Sequence, residues 1–264
     1  MAFVHALSTI LAAVTPPDDD RATGGPGAAA GDVDLPSLVE SFIGTDIAET
    51  TAALHVLAVL TADELAAARM RRELARRRQP VPEEITNLAS VETRAAWLLS
   101  DASGDGENVF LDLSWPSGSR ACLVAYVDHA AGTRVKDAFA VDSPIEPLLD
   151  RYREAVAEQS LDGSDLRRVD AADARATLEH ALAGVHHVEG DPQDTWPALR
   201  PFVEMVVRRL PPGGSRYLGP AAFAPPSDPP TVLRGFLGSP EGAGLGEPQM
   251  QAAARYSRIT VLSR

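Results

Sequence analysis

Between residues 35 and 99 apolar positions recur every three or four residues, the spacing of helices buried on one side. Ile47, Leu54, Leu57 and Val59 lie in an almost uncharged stretch, which predicts a buried helix. Thr61-Ala-Asp-Glu64 has the capping-box spacing, in which a hydroxyl and a carboxylate each satisfy a free amide. The helix it opens ends in arginine-rich sequence before Pro80. A further helix is expected from about Glu83 to Leu99, with Ile85, Leu88, Ala95, Leu98 and Leu99 on one face.

Beyond residue 100 the period shortens to two. Val109, Leu111 and Leu113 alternate with Phe110, Asp112 and Ser114, and Trp115-Pro-Ser-Gly118 supplies a turn. Ala121 to Val127 is a second apolar run, and Val135 to Val141 follows a turn at Ala130 to Thr133. Three strands joined by short loops predict an antiparallel meander. Both sets of alternating residues in the middle strand are apolar, so it should be covered on both faces. Helical spacing then returns. Ser143-Pro-Ile-Glu146 has a capping-box pattern with proline at the first helical position. Ile145, Leu148, Leu149, Tyr152 and Val156 mark one face of that helix. Asp170 is placed to cap another helix, with Leu178, Ala181 and Leu182 inward. Trp196, Leu199, Val203, Val206, Val207 and Leu210 belong to a last one, whose regular part begins late because of Pro197 and Pro201.

The expected fold class is α+β: an antiparallel meander of about three strands packed on α-helices, with an N-terminal helical layer and a Pro/Gly-rich C-terminal tail. The divisions are 1–31 (a short helix, Phe3 to Val14, tethered by a flexible linker), 32–100 (helical), 101–210 (meander with following helices) and 211–264 (largely irregular, with a short helix near Thr231 to Leu237). No internal repeat is present.

Charge narrows the partners. The chain carries a formal net charge of −13, which opposes binding to phosphate backbones and anionic membranes. With a single cysteine, Cys122, neither an intrachain disulfide nor a multi-cysteine metal site can form. No apolar stretch reaches the ~20 residues needed to span a bilayer. Ala2 to Val14 is apolar but has no basic flank or small-x-small cleavage site, so it reads as a helix rather than an export signal. A cytoplasmic location is expected. Lys136 is the one lysine among many arginines, a composition typical of high-GC genomes.

Four groups could carry chemistry. Asp112, Asp128, His129 and Asp137 lie at or beside strand ends, where carboxylates and imidazole can hold a divalent cation or activate water; they can equally cap strand ends. His180, His186, His187, Glu189 and Asp191 have metal-ligand chemistry but match no familiar spacing, and a solvated helix end is the plainer reading. Arg69, Arg71, Arg72, Arg76, Arg77 and Arg78 crowd one helix end, as a solvated face or a surface for an acidic protein partner. Gly242-Ala-Gly244-Leu-Gly246 resembles half of a nucleotide-binding turn without the preceding strand. No Walker A lysine motif, HExxH or nucleophile elbow occurs, and no cofactor is implied.

The segments CLVAYVDHAAGTRVKDAF, DTWPALRPFVEMVVRRLP and FLGSPEGAGL resemble pieces of an uncharacterised protein family of high-GC Gram-positive bacteria, over roughly Val109 to Leu245. The resemblance implies no activity and transfers no catalytic residue. Members of that family continue with a further segment, whereas here the sequence ends in ARYSRITVLSR. The expected function is therefore a non-enzymatic interaction or regulatory module for an unidentified protein partner, its oligomeric state open. One alternative is a metal-dependent hydrolase built on the meander acids and His129; the other is a nucleic-acid binder using the arginine-rich helix.

Overall fold

The computed structural model describes residues 1–15, 34–100, 105–129, 132–158, 165–184, 196 and 198–215. The linker, the tail with its expected helix at Thr231 to Leu237, and the Gly242–Gly246 turn lie outside them. All described residues fall within one unit, Met1–Gly219.

The sheet is built outward from the most apolar strand. In β3 (Arg120–Asp128) alternate side chains face opposite ways, and both sets are buried. It pairs antiparallel with β2 (Gly106–Ser114) on one side and β4 (Arg134–Val141) on the other, with Val124 opposite both Phe110 and Phe139. This is the expected meander. Two further strands, β1 (Glu92–Ser100) and β5 (Asp165–Val169), extend it to five in the order β4-β3-β2-β1-β5.

One face of the sheet carries Val109, Leu111, Leu113, Leu123, Ala125 and Val127. It is covered by helices: α1 (Ala2–Val14), α2 (Leu35–Ile43), α3 (Ala48–Leu60), α4 (Glu64–Leu74), the single turn α5 (Glu83–Thr86), α7 (Ala171–Leu182) and α8 (Arg200–Val207) contribute to that side. The uncharged helix α3 is buried nearly all round, with Leu54, Val56 and Leu57 at 0% exposure. The opposite face carries Phe110, Cys122, Val124, Leu99 and Trp97. Among the described residues, one helix, α6 (Glu146–Glu158), covers it with Leu149 and Tyr152, and Ile145 precedes it. Phe110 and Tyr152 meet edge to face, their ring centroids 4.9 Å apart. Because β4 and β5 are opposite edges, α6 lies in the connection that carries the chain from one edge to the other.

Several expectations are corrected. The segment expected as a helix from Glu83 to Leu99 is one helical turn, a 3₁₀ turn at Leu88–Ser90 and the strand β1. Its Ala- and Leu-rich composition suits a helix, but pairing with β2 and β5 satisfies its backbone on both sides, and tertiary context overrides propensity. The helical region therefore gives way to the sheet near residue 91 rather than 100. Strand β5 escaped notice because DLRRV is too polar to show alternation. The helix α1 is not loosely held: Val4, Leu7 and Leu11 are buried, and Ser8 Oγ donates to the Ala198 carbonyl at 2.8 Å. At Thr61–Glu64 the cap is Asp63, which accepts from the Leu65 and Ala66 amides, while Thr61 Oγ1 accepts from the Asp63 amide. Glu146 opens α6 but turns its carboxylate to Arg120 instead of closing a box on Ser143. Asp170 caps α7 as expected, accepting from Ala172 N at 2.8 Å.

Candidate functional site

The four meander residues do not converge. Asp112 lies opposite Cys122, whereas Asp128 lies at the far end of the same strand, roughly 20 Å away at ~3.3 Å per residue. Asp137 is opposite Tyr126, so it shares the α6 face with Asp112 and Asp128. His129 follows in alternation with Val127 and points to the other face, where its Nε2 is 3.2 Å from Glu107 Oε1 and its Nδ1 is 3.1 Å from Thr133 Oγ1. The carboxylate of Glu107 is fully out of water. Hydroxyl, imidazole and carboxylate stand in the order that activates a nucleophile; here they join β2 to the β3–β4 turn. Asp128 is bonded by Arg134 at 3.3 Å. His180 lies in the last turn of α7. His186, His187, Glu189 and Asp191 lie outside the described residues. Among the described residues, no group of three His, Cys, Asp or Glu side chains is placed to hold a metal ion.

The arginine cluster is partly internal. The Arg77 side chain is 2% exposed. Its five N–H groups are all spent: on the Phe42 and Ile43 carbonyls at 2.7 and 3.0 Å, on Thr50 and Thr51 Oγ1 at 3.1 Å each, and on Glu73 at 3.2 Å. It clamps the end of α2 to the start of α3 and is no part of a solvated face. Arg69 pairs with Glu40, and Arg71 with Glu64 at 3.1 Å.

A different set of residues forms an open cleft of about 460 Å³ between α6 and the β1–β5 side of the sheet. Three arginines from three elements line it together with Trp97. Arg94 is the extra residue of a bulge in β1, where the register slips between Thr93 and Ala95, and bulges redirect side chains. Arg168, from β5, is directly opposite Trp97. Arg153, from α6, places its guanidinium carbon 5.8 Å from the Trp97 ring centroid. Asp112, 4% exposed, forms part of the wall, and Arg120 Nη2 donates to its two oxygens at 3.0 and 2.8 Å. The same nitrogen reaches the Glu146 oxygens at 3.3 and 3.4 Å.

These charges set the local acidity. The hydrogen bond to Asp112, and then Glu146, hold the Arg120 guanidinium above its already high value against burial. The Glu146 carboxyl is held low by its own backbone amide first, then by Arg120 and Arg94. Beneath them, burial pushes the Cys122 thiol up to about 12, aided by the charges of Asp112 and Glu146. Cys122 is a core residue and no nucleophile.

A smaller hollow of about 280 Å³ is lined by His55, Glu64, Arg71, Arg208 and Arg209. Arg208 and Arg209 donate to the Leu60 and Ala89 carbonyls, so they bind helix and turn ends. The cleft is the better candidate because the guanidiniums of Arg94 and Arg168 face solvent there. Arg94 is 3.8 Å from Asp112, and Arg168 has no ion pair among the described residues. Neither arginine, nor Trp97, stood out in the sequence, since the segment holding Arg94 and Trp97 was expected as a helix and Arg168 lies in the polar strand β5.

No protein-family model, curated protein or solved structure matches the chain.

Proposed function

We propose that this protein is a non-enzymatic interaction module that binds a partner protein in the cleft between α6 and the β1–β5 side of the sheet. The observation that carries the reading is the half-buried Trp97 sharing one cleft with three arginines from separate elements, Arg153 lying over its ring. Tryptophan and arginine are the side chains most enriched where a few contacts dominate protein binding. The N-terminal helix adds nothing to the reading, because its Val4, Leu7 and Leu11 are buried in the core. The likeness to an uncharacterised family of high-GC Gram-positive bacteria adds no activity to it, and the cytoplasm is the compartment it assumes. No helix among the described residues is long and apolar enough to cross a membrane.

The test is a photo-crosslinking amino acid at Asp150, which lines the cleft and is 65% exposed, with Leu65 on α4, 84% exposed, as the control position. In the native host, illumination should attach one defined protein from position 150 and not from position 65. Equal labelling from both positions, or none from 150, contradicts the reading.

A further inference from the structure

Resting on that reading of the cleft, we infer that the partner segment is acidic and that Glu146 occupies the place one of its carboxylates takes. The Glu146 carboxylate is 64% exposed and reaches Arg120 only at 3.3 Å, longer than the 2.8 Å bond from Arg120 to Asp112. Arg120 Nε is out of water with no acceptor among the described residues. A guanidinium with an unspent donor and one loosely held, solvent-facing carboxylate is poised to exchange that carboxylate for another. Arg94 stands on the same side, near enough to act on Glu146 by its charge. Arg168, lacking an ion pair among the described residues, offers a second anchor, and Trp97, directly opposite it, supplies an apolar wall.

The cleft is open to solvent, so a peptide segment can enter it. The charges also define what it rejects. Glu146 and Asp150 line the cleft, and the chain as a whole is at −13, so a dense polyanion meets repulsion that widely spaced carboxylates avoid. A peptide with Asp or Glu at intervals fits; a nucleic-acid strand does not.

Fluorescence anisotropy on the full chain tests this with four labelled probes: a peptide of about ten residues with alternating Glu and Gly, its Gln counterpart, its Lys counterpart, and a thymidine oligonucleotide of similar length. The Glu peptide should bind tightest, and more weakly as salt rises. Removing the guanidiniums of Arg94 and Arg168 together, Arg94→Ala with Arg168→Ala, should weaken it about tenfold, and Glu146→Gln should strengthen it about threefold. Unchanged melting of each variant shows that folding is not the cause. Equal binding of Glu and Gln peptides, or preference for the Lys peptide, lost in the double variant, overturns the acidic partner while leaving the cleft as a docking site. Tighter binding of the oligonucleotide overturns it in favour of a polyanion. Binding of no probe at the highest soluble concentration overturns the acidic-segment inference, and the crosslink from position 150 then decides whether the docking reading survives.

Discussion

Replacing Val124 with Asp sets a carboxylate between Phe110 and Phe139, at a position with 0% exposure. An unpaired buried charge costs several kcal/mol, comparable to the whole stability of a domain. A thermal melt of Val124→Asp should show a fall above about 10 °C or no cooperative transition; a shift of 2 °C or less would mean that β3 is not central. Two positions away, the Cys122 thiol ionises only near 12 in the folded chain because it is buried, and near 8.5 once unfolded. A raised folded value means the thiol's contribution to stability is complete below about pH 8.5 and is lost between there and about 12. At pH 8 the native chain should resist iodoacetamide while the urea-unfolded chain reacts readily. Mass spectrometry of the native protein showing rapid alkylation of Cys122 would refute its burial.

At the scale of elements, what the sequence disclosed tracks how strongly each segment's pattern is tied to its own local structure. The strands β2, β3 and β4 announce themselves because their alternation is the same one the pleat enforces. The helices α7 and α8 follow from a 3.6 period, α7 also from Asp170, and α3 from its uncharged apolar run. Strand β1 does not, because Ala95, Ala96, Leu98 and Leu99 favour a helix in isolation and become a strand only through partners on both sides. The candidate site depends on that strand, so Arg94, Trp97 and Arg168 could not be gathered before it was placed, whereas Asp112 could. Arg77 shows the same limit. A run of arginines looks like a solvated face, and only the fold reveals that one of them has five acceptors waiting. If Arg77 ties α2 to α3 by its planar fork, Arg77→Ala should cost about 3 kcal/mol, near 10 °C in melting temperature. Lysine has three donors on a single nitrogen and should rescue little of it. Full recovery in Arg77→Lys would show that charge alone matters there.

At the largest scale, among the described residues, the arrangement is unequal: one face of the sheet is closed by most of the helices, the other by α6 with a cleft beside it. Enclosing the first face stabilises the fold, and beside the second the Trp97 ring lies half-buried next to the exposed side chains of Arg94 and Arg168. Hydrogen exchange of the full chain with and without the alternating Glu–Gly peptide tests this most directly, because it reads every segment at once. Slowed exchange should be confined to β1, the first two turns of α6 and β5, and should vanish in the Arg94→Ala, Arg168→Ala double variant. Protection centred instead on the arginine-rich end of α4, or spread evenly over the helical face, would contradict the assignment of the cleft as the binding site.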